Sequence, residues 1–282
     1  MSKDYHVIET LGRTKVVIEN GEVTSVGESM VDYCPIFDKI DDAKHLTPEF
    51  IKWNIEKRIR EFGMCTPERV VEMDDFLSFG ISEILKTNVE LGLIDCVVGV
   101  CDGVGTLLMT DPKIIQGVGG RVSALVSTTP YPNVIEKVGI ENVVNPKTAE
   151  LNPIKGLEMA VERGFKNIGI TILADKIIEE IANYPLPDDV NTYIFVAHTT
   201  NASLEEIEIA FKYCDVITAC ASCNVREYAE KEKIYYSGSK VPIFAVTKKG
   251  REFLDNRLEK IGKEMTSNNY PMNKDKHPNP LV

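Results

Sequence analysis

Long apolar runs are missing from this 282-residue sequence. None approaches the roughly 20 residues that a membrane-spanning helix needs. A secretory h-region is missing at the N-terminus as well, so the expectation is a cytoplasmic protein. Positive charge is scarce: 32 Lys and Arg stand against 43 Asp and Glu, a net charge of −11. A general phosphate-backbone binder needs a basic surface that releases counterions, so nucleic acid is not an expected partner. A local basic pocket remains compatible with this balance. No internal repeat and no low-complexity tract is found. Several enzyme signatures are absent too: no Lys-Ser/Thr pair follows a glycine-rich turn, and no His-Glu-x-x-His, EF-hand loop or Ser-His-Asp ordering can be read.

What is present is the composition of a globular protein, 43% hydrophobic and 27% charged, in a chain long enough to bury a full core. Seven cysteines, an odd number without an export signal, speak against a disulfide framework and for free thiols or metal ligands.

Residues 6–27 read as a small antiparallel meander, with Lys15–Ile18 and Glu22–Val26 flanking the hairpin dipeptide Asn20-Gly21. Cys34-Pro35 lies in a loop, since proline pushes the preceding residue out of the helical region. Thr47-Pro48-Glu49 opens a helix that Gly63 is placed to end. Cys65-Thr66-Pro67 is again a cysteine in a constrained loop, and a second helix is expected over about Asp74 to Lys86. From Leu91 strands and helices alternate. Expected strands end near Val100, Ile170, Ala197, Ala219 and Val246, and four prolines over 130–153 suggest a crossover between sub-lobes.

The predicted fold is α/β: a mostly parallel sheet with helices on both faces, preceded by a small N-terminal β-meander and helical segment. The expected division is 1–90, then an α/β domain over 91–262, then a frayed tail over 263–282. In such a sheet ligands sit beyond the carboxyl ends of the strands. Cys101, Thr171, His198, Cys220, Cys223 and Thr247 are all expected there.

Cys220-x-x-Cys223 is the centre of the chemical reading. A strand delivers it, and Ser222 is placed to cap the helix that follows, whose dipole favours thiolate. Two small buried cysteines at a tight turn are the plainer alternative. Cys34, Cys65, Cys101, Cys220 and Cys223 fall in loops or turns, and four thiolates complete the shell of an iron–sulfur cluster or a tetrahedral zinc. Cys96 and Cys214 read as core. Gly103 and Gly105 let backbone approach a ligand, and Arg121 beside open glycine backbone offers one guanidinium to an anion. A surface turn is the simpler account of Gln116–Arg121. His198 is a candidate ligand or general base, and Asp102 can orient a thiol or cap its turn.

Six phrases then carry a family resemblance: Val31-Asp-Tyr-Cys-Pro35, Ile59 to Arg69, Met73 to Gly80, Val100-Cys-Asp-Gly-Val-Gly-Thr106, Gly119 to Ser123 and Asp215 to Ala221. Together they resemble methanogenesis marker protein 8, over about Val7 to Leu258. The resemblance implies a methane-producing archaeon and a role connected with methyl-coenzyme M reductase or its nickel tetrapyrrole. It implies no catalytic residues. Three functions follow as expectations. The first is an accessory or maturation protein for methyl-coenzyme M reductase or its activation proteins, carrying a cysteine-ligated iron–sulfur cluster or zinc. The second is a cysteine-dependent enzyme of coenzyme or small-molecule metabolism, with Cys101 or Cys220 as nucleophile. The third is a scaffold with inert cysteines.

Overall fold

Asn20-Gly21 reverses the chain with both residues at positive φ, 52° and 76°, as a two-residue hairpin turn requires. It joins β2 (Thr14–Glu19) to β3 (Glu22–Val26) in the computed structural model, which describes residues 4–120, 124–272 and 277–282. β1 (Tyr5–Thr10) lies on the other side of β2, and β6 (Ala124–Ser127), from far along the chain, adds to β1. This small sheet is antiparallel throughout, in the order β3-β2-β1-β6. Helices α1 (Pro35–Asp41) and α2 (Pro48–Phe62) pack on it. In α2 the Thr47 hydroxyl accepts the Phe50 N–H at 3.2 Å, and Gly63 closes the helix at φ 62°. A side chain at Gly63 would also stand 2.5 Å from the Glu68 carbonyl, so conformation and space both require glycine. Ile51 and Ile55 of α2 meet Ile8, Val16 and Ile18 of the sheet in one apolar cluster.

The larger sheet has the order β10-β11-β9-β8-β7-β4-β5. Its centre is parallel: β4 (Cys96–Cys101), β7 (Asn167–Leu173), β8 (Asn191–His198) and β9 (Val216–Thr218) run the same way. Its flanks are antiparallel, which corrects the expectation of a mostly parallel sheet. β5 (Gly105–Met109) returns directly from β4, because the Asp102–Val104 connection is a hairpin and a parallel crossover needs a dozen residues or more. At the other edge β10 (Tyr235–Ser237) and β11 (Ile243–Ala245) form a second hairpin, so β11 runs against β9. Thr247 therefore lies at the amino end of the parallel strands, where its hydroxyl donates to Asp215 Oδ1 at 2.5 Å. The three residues of β10 are too short a run to show a strand period, which is why that hairpin escaped the sequence reading.

Helices cover both faces of this sheet. One face carries α3 (Ile81–Glu90), α4 (Pro112–Gly119), α5 (Pro132–Val138) and α10 (Lys248–Lys260), packed on Val97, Phe195 and Val216. The other carries α6 (Pro153–Glu162), α7 (Ile177–Ala182), α8 (Leu204–Tyr213) and α9 (Cys223–Glu232), packed on Val98, Ile170, Ile194 and Ile217. The second helix begins at Ile81, later than its apolar spacing suggests. Asp75 is held outside it by Arg257 and Lys86, both at 2.7 Å, and the Leu77 N–H donates to Glu83. Gln116 to Gly119 form the end of α4, not a turn; a Cβ on Gly117 would lie 2.2 Å from the Val71 carbonyl oxygen, so glycine allows a close approach. Arg121 lies outside the described residues.

The small sheet sits over the carboxyl edge of the large one. Arg13, in the β1–β2 turn, donates to the Thr200 and Asn201 carbonyls beyond β8, both at 3.3 Å. The last residues come to the same edge: Val282 N–H donates to Ala221 O at 2.8 Å, and Cys223 N–H to Val282 O at 3.1 Å.

Candidate functional site

Beyond β9 the chain must turn from strand to helix within Ala219 to Ser222. Cys220 does this at φ 41°, a left-handed conformation that is costly for a residue with a Cβ. Ser222 then caps α9 by accepting the Val225 N–H at 3.3 Å, as its position predicts. The Thr199 hydroxyl reaches the Thr218 and Ala219 carbonyls at 2.8 and 2.9 Å, tying the ends of β8 and β9 together. The result is a fixed contact of 3.3 Å between Cys220 Sγ and His198 Nδ1. Arg226, one turn along α9, donates to the Ala219 and Ser222 carbonyls.

Both partners of the pair are neutral at rest. Burial holds the His198 imidazole down at about 4, with Arg13 adding to the effect and Glu9 opposing it. Burial pushes the Cys220 thiol up; the Thr199 backbone, the Arg226 charge and the Thr199 hydroxyl only partly offset this. The guanidinium of Arg226 is itself lowered to about 10 by burial, against the Cys220 and Cys223 sulfurs. The thiol hydrogen has two acceptors in reach, Nδ1 at 3.3 Å and the Ala197 carbonyl at 3.9 Å; we assign it to the nearer Nδ1, which leaves the imidazole hydrogen on Nε2. Nε2 is closed to solvent and has no hydrogen-bond partner among the described residues.

His198 and Cys220 line a cavity of about 240 Å³ between the two sheets. Cys34, from the N-terminal cap of α1, lines it too, with its thiol pushed up by burial. Much of the remaining wall is apolar, with Leu11, Phe37, Phe76, Phe79 and Ile243 among its residues.

The other loop cysteines lie elsewhere. Cys101 ends β4 and Cys220 follows β9, three strand spacings apart, or about 14 Å across the sheet. Cys101 is buried beside Asp102 and Cys65, and its thiol is pushed up to about 12 by burial and by the Asp102 charge. Asp102 accepts the Cys65 N–H at 2.5 Å and pairs with Arg69 at 2.9 Å, both side chains wholly buried. Arg69 also donates to the Val70 and Gly117 carbonyls. The Tyr131 hydroxyl meets His6 Nε2 at 2.7 Å and the Cys65 carbonyl at 3.0 Å. This is a polar rivet between the lobes. Cys223 faces a different cavity, of about 380 Å³, together with Arg226 and His277. Cys96 and Cys214 are buried in the core. Among the described residues no group of three or more His, Cys, Asp or Glu side chains stands ready to hold a metal ion. The space over Gly103 is taken by the Tyr131 ring and that over Gly105 by the Ala149 backbone, so these glycines serve close packing of the chain on itself.

Sequence reading singled out Cys220 and His198 separately; their contact depends on the β8–β9 pairing and has no local signal. Arg69, His6 and Tyr131 went unnoticed, since nothing in their neighbourhoods marks burial of a charge.

The family model described as "Uncharacterized protein conserved in archaea (DUF2099)" matches residues 6–259. The chain belongs to this archaeal family. A second member, uncharacterized protein MJ0054 of Methanocaldococcus jannaschii, is 40% identical over 288 residues, covering 99% of this chain and all of its own. No solved structure matches. No helix among the described residues is long and apolar enough to cross a membrane.

Proposed function

We propose that this archaeal protein is a cysteine-dependent enzyme in which Cys220 is the nucleophile and His198 the general base. The 3.3 Å contact between Sγ and Nδ1, at the carboxyl edge and facing a cavity, carries the reading. The neutral pair does not react spontaneously. Attack transfers the sulfur proton to Nδ1 as the new bond to sulfur forms, so a bound electrophile is needed to draw it. Burial keeps the thiol protected until then.

The accessory role alongside methyl-coenzyme M reductase is the context we propose for this chemistry. It is supported by the six phrases of the resemblance. A four-thiolate iron–sulfur or zinc centre fits the arrangement within one chain poorly, because Cys34 and Cys220 share one cavity while Cys65, Cys101 and Cys223 lie in other surroundings. Iron and zinc per chain after anaerobic purification test this point; a stoichiometric cluster would displace the thiol reading.

N-ethylmaleimide provides the direct test. Peptide mapping should find Cys220 modified in the folded protein while Cys65, Cys96, Cys101 and Cys214, all buried, stay free. His198→Ala should slow modification of Cys220 at neutral pH by about a hundredfold, the lower end of general-base effects. An unchanged rate in that variant, or a Cys220 that never reacts, would sink the assignment.

A further inference from the structure

Unpaired polar atoms are rare inside folded proteins, and each costs free energy unless a ligand or water meets it. Thr10 Oγ1, Thr218 Oγ1 and His198 Nε2 are buried atoms of this kind, without a partner among the described residues. All three belong to residues that line the 240 Å³ cavity. Thr10 reaches it from the end of β1, while Thr218 and His198 come from the adjoining ends of β9 and β8. With Nε2 carrying the imidazole hydrogen, each of the three has a hydrogen to donate and no acceptor. Rotation about χ1 is the motion that would carry either hydroxyl to the cavity.

Among the described residues the lining also contains one cation and one anion, Arg58 and Glu83. Glu83 is already held by the Leu77 N–H at 3.0 Å and by Gln116 at 2.8 Å. Among the described residues a carboxylate or phosphate head would find no excess positive charge. A neutral acceptor would find hydrogen-bond donors, and beyond them Leu11, Ile36, Phe37, Phe76, Phe79 and Ile243 offer an apolar wall. The volume lies below the roughly 300–1,000 Å³ of drug-sized sites, which limits the occupant to a small molecule.

We infer that the substrate is a small uncharged carbonyl compound with an apolar body, its oxygen held by Thr10, Thr218 and His198 and its carbon presented to Cys220. This rests on the thiol reading of the site and gives it a substrate class. Addition is balanced without a co-reactant. Sulfur bonds to the carbonyl carbon, the thiol proton passes to His198 Nδ1, and the carbonyl π pair becomes an oxyanion that takes the proton from Nε2, giving a hemithioacetal or hemithioketal and a neutral imidazole.

The test uses four probes of one body on the full chain: 4-phenylbutan-2-one, 4-phenylbutan-2-ol, butylbenzene and 3-phenylpropanoate, by calorimetry. The ketone should bind about tenfold or more tightly than butylbenzene, the effect of roughly one hydrogen bond. It should also bind more tightly than the alcohol and the carboxylate. Thr10→Val and Thr218→Val should each erode the preference for ketone over hydrocarbon while leaving butylbenzene affinity unchanged. Removing an unmet hydroxyl should leave the melting temperature of the ligand-free variants unchanged or raised, which separates lost recognition from lost folding. Equal affinity for ketone and butylbenzene, a preference for the carboxylate, or no binding of any probe would each overturn the inference. Cys220→Ala should retain the ketone preference, because recognition does not need the thiol. Maleimide labelling that fails while this preference persists therefore refutes the thiol chemistry alone.

Discussion

Asp102→Ala is expected to lower the unfolding free energy by about 3–5 kcal/mol, the range for removing one partner of a buried ion pair. The cost comes from what remains. Arg69 is wholly buried, and its guanidinium, opposed by burial, is held charged by the adjacent Asp102 carboxylate. Without that carboxylate the charge keeps only the Val70 and Gly117 carbonyls, and the Cys65 N–H loses its acceptor. The double change Arg69→Met with Asp102→Leu should cost much less than either single change, since it leaves no unpaired charge. Urea unfolding of the three variants checks this. A loss below about 1 kcal/mol for Asp102→Ala would mean that the rivet between the lobes adds little, as exposed pairs do.

Acid should weaken the fold through His198 in a window that the shift itself defines. Its folded value is about 4 and the unfolded value 6.5, so between them the unfolded chain binds the extra proton. Stability therefore rises with pH from about 4 to 6.5 and is lost as pH falls through that range. The full difference corresponds to about 3 kcal/mol at 1.36 kcal/mol for each pH unit. Thermal or urea unfolding at pH 7.5 and 4.5 should show wild type losing about 2–3 kcal/mol more than His198→Gln, which has no proton to take up. His6 is lowered too, chiefly by burial with Asp4 opposing, but it is present in both proteins and cancels in the comparison. Equal losses would show that the imidazole is already solvated or charged in the native state.

Both effects depend on residues brought together across long stretches of chain, and this marks the boundary of what sequence pattern could supply. Thr47 and Ser222 as helix caps, Asn20-Gly21 as a hairpin, Gly63 as a helix stop and the four parallel strands were legible because each signal is complete within a few residues. Burial of Cys96 and Cys214 followed from their places in a strand and at a helix end in the same way. The reversal of β11 was not legible, because three residues of β10 carry no period and the same apolar run serves either direction. Nor could spacing say which thiols meet. Cys220 reaches His198 through strand pairing, while Cys101 is carried about 14 Å away, to a place beside the Asp102 carboxylate that binds the Cys65 N–H and Arg69. Residue type and position along the chain nominated the thiols and the imidazole; strand order, a property of the whole sheet, chose the pair and left three polar atoms around one cavity unmet.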